Sequence, residues 1–497
     1  VGTGLTDTTP KPQVWDFAEI GDRIFVAGAF TGVQEDGFDP GSQVIPQGYL
    51  AAFDRDSGDW IDTFLPTFDR TVYALEVSSD GNLLVGGEFT SVNGVAREGL
   101  VALDPITGAV APGFGTSVER QWTSDRAVVR ELERDGSDVY VTGNFNHVVQ
   151  GGQSLRVWSA ARLRADTGQL DPSWLPRLTG AGVWDLAIDQ SRGRVHLAGY
   201  FTAVDAQPDT ALFATVSEAD GSLVPGVVPF EPNAEWQTNT VAVAVAGGRT
   251  YVGGSEHVIQ VLDADTNARM GYNTTGLGCD SIDPLDCDPR WIAGGDYQVL
   301  EVVGDLVFGG CHCFEYRSGY QAYDGITHYS SFTDQRSDHR YAIPYQATTG
   351  APATDFVPGL RGRSYGTWAV HTDANGCLYV GGDYTRTRDG YWLGGFGRMC
   401  APTPPPVDLA GTTTTGRVAL TWAEPDGPLP IAFSKVYRDG TFLGDTSGLA
   451  FTDVNAPAGD VATSEVLAVD ASGRRSDPAE VTITVAGDDA TPPDAPT

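Results

Sequence analysis

The chain has 497 residues, 41% of them hydrophobic and only 19% charged, which excludes a disordered polymer and allows more than one core. Its 65 acidic and 31 basic residues give a formal net charge of −34, a balance that disfavours nucleic acid and anionic membranes as partners and suits solubility or hard cations such as calcium. No apolar run of about 18 residues occurs, so no membrane insertion is expected. No charged-then-apolar opening marks a leader, so any signal peptide is expected to have been removed.

In chain order, the first element is "VWDFAEI" (14–20), followed by "IFVAGAFTGV" (24–33) and "YLAAFDRDSG" (49–58). The same triplet returns as "VYALEV", "NLLVGGEFTSVNG" (82–94) and "GLVALDPITG" (99–108), then as "VVRELE", "VYVTGNFNHV" (139–148) and "AARLRADTG" (160–168). "VWDLAI" with "VHLAGYFTAV" (195–204) opens a fourth unit, "VAVAVA" with "VIQVLDADTN" (258–267) a fifth, "YQVLEVV" a sixth and "TWAVHT" a seventh. The marker glycines are Gly28, Gly87, Gly143, Gly199, Gly254, Gly310 and Gly382, at steps of 59, 56, 56, 55, 56 and 72 residues.

Each segment is short, rich in Val, Leu and aromatics, and bounded by DG, GD or DxxTG turns, so three or four strands per unit are expected and no helix. Several strands recurring at this period are the mark of a β-propeller blade. The fold class expected is all-β: a seven-bladed β-propeller over residues 1–402 and a second sandwich after it. Glycine at the strand end lets neighbouring blades approach, and the following Phe or Tyr fills the space between them. The seventh unit is expected to lack an outer strand, and residues 1–13 are expected to supply it.

Six cysteines, Cys279, Cys287, Cys311, Cys313, Cys377 and Cys400, lie late in the repeats without any CxxC pair, which favours disulfides in an exported protein over zinc. Cys377 and Cys400 fall opposite each other on antiparallel neighbours and are expected to bond. The other four allow three pairings, with a tie from the 279–287 loop to the Cys311/Cys313 strand favoured.

"TPPP" (403–406) reads as a stiff linker. Beyond it, "RVALTWAEP", "VYRDGTFLG" and "VLAVDASGRRS" resemble a fibronectin type III domain over 407–487, although Val466 and Leu467 stand where the usual Tyr would be. The ending "DDATPPDAPT" (488–497) reads as a further linker or tail, so further domains are expected beyond it. "GNLLVGGEFTSVNGVAREGLVALDPITGAVAPGF" (81–114) and "VYVTGNF…AARLRADTGQLDPSW" (139–174) resemble the bacterial delta-60 repeat propellers. "YVGGSEHVIQ" and "VFGGCHCFEY" depart from that pattern by lacking the aromatic after the glycines. The resemblance implies a secreted, extracellular or cell-surface propeller, and it implies no particular activity.

Three sets of residues are candidates for chemistry. Five of the seven histidines, His257, His312, His328, His339 and His371, fall in units five to seven near Asp324, Asp334, Asp338 and Asp383. Imidazoles beside carboxylates suit acid–base work or a metal, with His257, His312, His371 and Asp383 as catalytic candidates; ordinary loop hydrogen bonds are the alternative. Trp15, Tyr73, Trp184 and Trp368 share one position in their units and suit stacking on a glycan; packing between units is the alternative. The acidic loops "EDGFDPG" (35–41) and "DSIDPLDCD" (280–288), with Asp283 and Asp286, suit calcium, or simply turns. The Tyr-rich insertion "FEYRSGYQAYDGITHYSSF" (314–332) suits an adaptable recognition surface or a covering loop. GxSxG, P-loop and dinucleotide patterns are absent. The function expected is a recognition protein that binds an extracellular glycan or surface protein. The rivals are an exported lyase or hydrolase acting on polysaccharide at the mouth of units five to seven, and a purely structural surface protein.

Overall fold

In a computed structural model of the chain, the residues described are 2–3, 13–34, 41–226, 240–254, 258–276, 296–313, 315–322, 341–353, 359–427, 430–471 and 473–487. Among these the secondary structure is β-strand, with two three-residue 3₁₀ turns at Gln190–Arg192 and Pro208–Thr210. The protein is all-β. It divides into two compact units, one of Val1–Asp54, Asp59–Thr372 and Leu378–Arg398, the other of Arg55–Gly58, Asp373–Cys377 and Met399–Thr497.

The first unit contains seven antiparallel sheets at the expected period. The first four are Val14–Ile20, Arg23–Gly28 and Leu50–Asp54; Val72–Val77, Leu83–Gly87 and Leu100–Leu103; Val128–Asp135, Asp138–Asn144 and Ala160–Arg164; and Leu178–Asp189, Arg194–Val204 and Phe213–Ser217. The fifth begins Thr240–Ala246, Arg249–Gly254 and Val258–Asp263, and the sixth is Tyr297–Val303, Leu306–Cys311 and Ala342–Gln346. The seventh is Leu360–Thr372, Leu378–Thr387 and Trp392–Met399. The first strand of each sheet packs against the first strand of the next, and that of the seventh packs against that of the first.

Why these segments are strands follows from what they bury. The second strands are buried on both faces, as in Leu83–Gly87, so they read as continuous apolar runs rather than alternating ones. The aromatics after the glycines, Phe30, Phe89, Phe145 and Phe201, are buried between sheets. At the outer turns Asp104 accepts hydrogen bonds from the backbone N–H of Ile106 and Thr107 and from the Thr107 hydroxyl, and Asp263 repeats the arrangement with Asp265 and Thr266. The Asp…Thr spacing is therefore an Asx-type turn that closes the third strands of the second and fifth sheets.

Close approach explains the glycines. A Cβ on Gly86 would lie 2.5 Å from Val129 of the third sheet, one on Gly253 2.7 Å from Tyr297 of the sixth, and one on Gly381 2.6 Å from Val14 of the first. Sheets one, three and four carry Ala27, Thr142 and Ala198 at the same place, so glycine is not demanded there in every sheet. In the sixth sheet the glycine pair sits one residue early: Cys311, not Gly310, pairs where Gly28 does in the first.

Three expectations need correction. Gly2–Thr3 pairs with Gly32–Gln34 rather than with the seventh sheet, which already has three strands as its neighbours do and needs no donated edge. Part of the insertion read as a recognition or covering loop, Glu315–Ala322, is a strand that pairs with Arg269–Gly276 and extends the fifth sheet to five strands, satisfying an otherwise open edge. Cys311 is bonded to Cys313 rather than to the 279–287 loop: two residues apart, with Cα atoms 5.2 Å from each other, they lie within disulfide reach. Cys377 and Cys400 are bonded, with Cα atoms 4.2 Å apart. Cys279 and Cys287 lie outside the described residues.

The second unit is two sheets, of three strands (Val407–Thr414, Arg417–Ala423, Ala450–Asp453) and four (Thr441–Thr446, Ile431–Arg438, Val461–Asp470, Ala479–Thr484). Alternation is clean here, as in Arg417–Ala423, and places Val418, Leu420 and Trp422 in a core with Val436, Val466 and Val485.

Candidate functional site

All seven first strands carry the same irregularity. The pairing with the second strand slips by one residue between Val14 and Asp16, Val72 and Ala74, Val129 and Glu131, Val183 and Asp185, Thr240 and Ala242, Tyr297 and Val299, and Thr367 and Ala369. A β-bulge frees one residue from the ladder and re-aims its side chain. The freed residues are Trp15, Tyr73, Arg130, Trp184, Val241, Gln298 and Trp368, and every one lines a single cavity of about 510 Å³ between the first strands.

Five of the seven form a continuous arc. Trp368 lies 4.1 Å from Trp15, ring centroid to centroid, and Trp15 meets Tyr73 edge-on at 5.0 Å. The Arg130 guanidinium is sandwiched 4.0 Å from the Tyr73 ring and 4.1 Å from that of Trp184, and Trp184 continues to the part-exposed Tyr200 at 5.4 Å. Such cation–π contacts are worth about 1–2 kcal/mol when partly desolvated. Val241 and Gln298 leave a gap in the arc at the fifth and sixth sheets.

Next to the arc are carboxyl groups. Asp16 accepts the backbone N–H of Phe17 at 2.7 Å and of Leu75, in the next sheet, at 2.6 Å. Asp185 does the same with Leu186 and Val243, both at 2.7 Å. Further along the strands, Glu76 accepts Arg134 N–H at 2.9 Å and Glu133 accepts Ile188 N–H at 3.3 Å. Each of these four carboxyls therefore bonds a backbone donor of the following sheet, which ties sheet to sheet around the cavity.

These groups line the cavity. Loss of bulk solvent raises Asp16 to about 8 against two lowering hydrogen bonds, Glu301 to about 8 and Asp185 to about 7. Burial likewise pushes Glu131 and Glu133 well above the usual carboxyl range, Glu131 also through the neighbouring charges of Asp185 and Asp16. Glu301 is exposed by area because it faces the lumen, so water there screens part of its shift.

The proposed aromatic set, Trp15, Tyr73, Trp184 and Trp368, is thus brought together at one position of four sheets. The two described members of the histidine set are not. His371 lines the cavity, 3.9 Å from Glu19. His312 is instead engaged locally, its Nε2 accepting Asp296 N–H at 3.2 Å. Asp383, 1% exposed, accepts the backbone N–H groups of Tyr365 and Gly366, a structural role. His257, His328, His339, Asp324, Asp334, Asp338, Asp283 and Asp286 lie outside the described residues, as do positions 35–40 of the first acidic loop. Among the described residues no three His, Cys, Asp or Glu side chains are arranged to hold a metal ion.

Sequence reasoning missed Arg130, which takes the aromatic position in the third sheet, and the lumen carboxyls. Both were visible as charges inside otherwise apolar strands, in "VVRELE" and in the WD of "VWDFAEI" and "VWDLAI".

No family model matches the chain, and no curated protein matches it. Among solved structures, the crystal structure of the computationally designed Ika8 protein is similar at a TM-score of 0.40 and 12% identity over 96% of this chain and 98% of that one.

Proposed function

We propose that the chain is an exported recognition protein: a seven-bladed β-propeller of the delta-60 repeat kind, with a fibronectin type III-like spacer, that binds a glycan at the mouth of its cavity. The propeller reading is supported by seven antiparallel units, six of three strands and one of five, whose first strands neighbour one another in order and return from the seventh to the first. The binding reading is carried by one observation, the arc from Trp368 through Trp15, Tyr73 and Arg130 to Trp184, delivered to the lumen by a repeated bulge. Aromatic faces of this kind stack on the apolar faces of sugar rings.

A glycan array on the full chain tests it. Hits that vanish in a Trp184→Ala, Trp368→Ala double variant with unchanged folding support the reading, and hits that survive place binding elsewhere. A rival enzymatic reading draws on His371 beside Glu19 together with carboxyls raised into the neutral range, which suit acid–base work on a polysaccharide. Turnover of a polysaccharide lost on His371→Ala would favour it.

A further inference from the structure

Resting on the glycan reading above, the geometry points to a protonated amino sugar as the occupant of the cavity, its ammonium on the Glu301 carboxylate and a hydroxyl on the free end of the Gln298 amide. Three observations lead there. The first is the lining: Asp16, Glu19, Glu76, Glu131, Glu133, Asp185 and Glu301 stand against one arginine, and since burial and mutual repulsion hold most of these carboxyls towards the protonated form, a bound cation relieves that strain whereas a uronate would add to it. Arg130 already shows what the ring set accepts, since its guanidinium sits between two of the rings.

The second is Gln298, which fills the gap in the aromatic arc and is only 8% exposed. One end of its amide lies 3.4 Å from His312 Nδ1, and the other, its Oε1 as placed, has no partner. Turning the amide over would merely exchange which end is left. A buried polar atom without a partner is costly, and a sugar hydroxyl, both donor and acceptor, satisfies either orientation. The third is Glu301, three residues further along the same strand, Tyr297–Val303. Unlike Asp16, Asp185, Glu76 and Glu133, it makes no hydrogen bond or ion pair among the described residues; it faces the lumen, and the nearby charges acting on it are the carboxyls of Asp16 and Asp185. An ammonium supplies the missing partner, and its charge draws the carboxyl, which burial holds up at about 8, down into the ionised form as the pair forms. A cavity of about 510 Å³ lies in the range that holds one small ligand of a few rings.

Calorimetric titration of the full chain with a β-linked glucosamine disaccharide, its N-acetylated form and a neutral glucose disaccharide tests the inference. The free amine should bind at least about tenfold more tightly than the other two, the usual scale of a charge-assisted hydrogen bond. Glu301→Gln should bring the amine's affinity down to that of the neutral sugar, and Gln298→Ala should weaken all three alike, with unchanged thermal melts excluding misfolding. Equal affinity for the three sugars would overturn the amine while leaving the glycan reading standing. Binding of a simple alkylammonium with none of the sugars would overturn the glycan reading itself, and no binding by any of them would overturn the inference.

Discussion

Replacing Asp16 with Asn asks whether the lumen carboxyls are held in a poorly solvated setting. The carboxyl accepts two backbone N–H groups, from Phe17 and Leu75, and Asn keeps one oxygen acceptor. At acidic pH Asp16 is protonated and close to Asn in shape, so the two proteins should differ by no more than one hydrogen bond, about 1 kcal/mol. Linkage fixes the sign at higher pH. The folded value, about 8, lies above the unfolded one. The folded chain therefore holds more protons through that window, and this stability is fully present below about pH 4 and lost as pH rises towards 8. Asn suffers no such loss, so the variant should gain on the parent, with a ceiling of about 1.4 kcal/mol per pH unit. Asp16 is part-open to lumen water and is flanked by Glu76 and Asp185, which titrate with it, so a few tenths of a kcal/mol per pH unit is the expected slope. Urea unfolding of both proteins between about pH 5 and 8, at fixed ionic strength, measures it. A parent that gains on the variant as pH rises, or a difference that stays flat, would refute the reasoning.

Other outcomes follow from packing and cross-links. Gly86→Ala drives a methyl group to within 2.5 Å of Val129 and should cost about 1–3 kcal/mol by urea unfolding, as overpacking does. Cys377→Ser opens a 23-residue closure and should cost about 3 kcal/mol by the chain-entropy estimate, read as a drop in thermal midpoint without reductant. Asp104→Ala removes three hydrogen bonds from an exposed turn and should cost only about 1 kcal/mol, because water replaces them. Its carboxyl is held below the usual range chiefly by hydrogen bonds from Thr107, so that contribution should fade as pH falls through the lowered value.

The period, the strand pattern and the outer turns were legible because they rest on local chemistry: apolar runs, Asp…Thr spacing and glycines where sheets meet. The shared position of Trp15, Tyr73, Trp184 and Trp368 was legible for the same reason, since each is the second residue of an apolar segment that precedes its unit's glycine at a similar distance. Arg130 was not, because a guanidinium breaks an aromatic pattern while doing the same geometric job through cation–π stacking. Asp16 and Asp185 were read past because a carboxylate inside a strand has meaning only once its partner, a backbone N–H of the next repeat, is known. The reach of Glu315–Ala322 to the edge at Arg269–Gly276 was illegible because pairing across an insertion leaves no short-range trace.

The seven slipped residues have one more consequence. Because none takes part in the ladder, exchanging Trp for Arg, Val or Gln there leaves the scaffold's main-chain bonding intact, and this chain already carries all four. The protein thus owns a ring of interchangeable sockets, in which chemistry can be rewritten one repeat at a time without renegotiating the architecture that displays it.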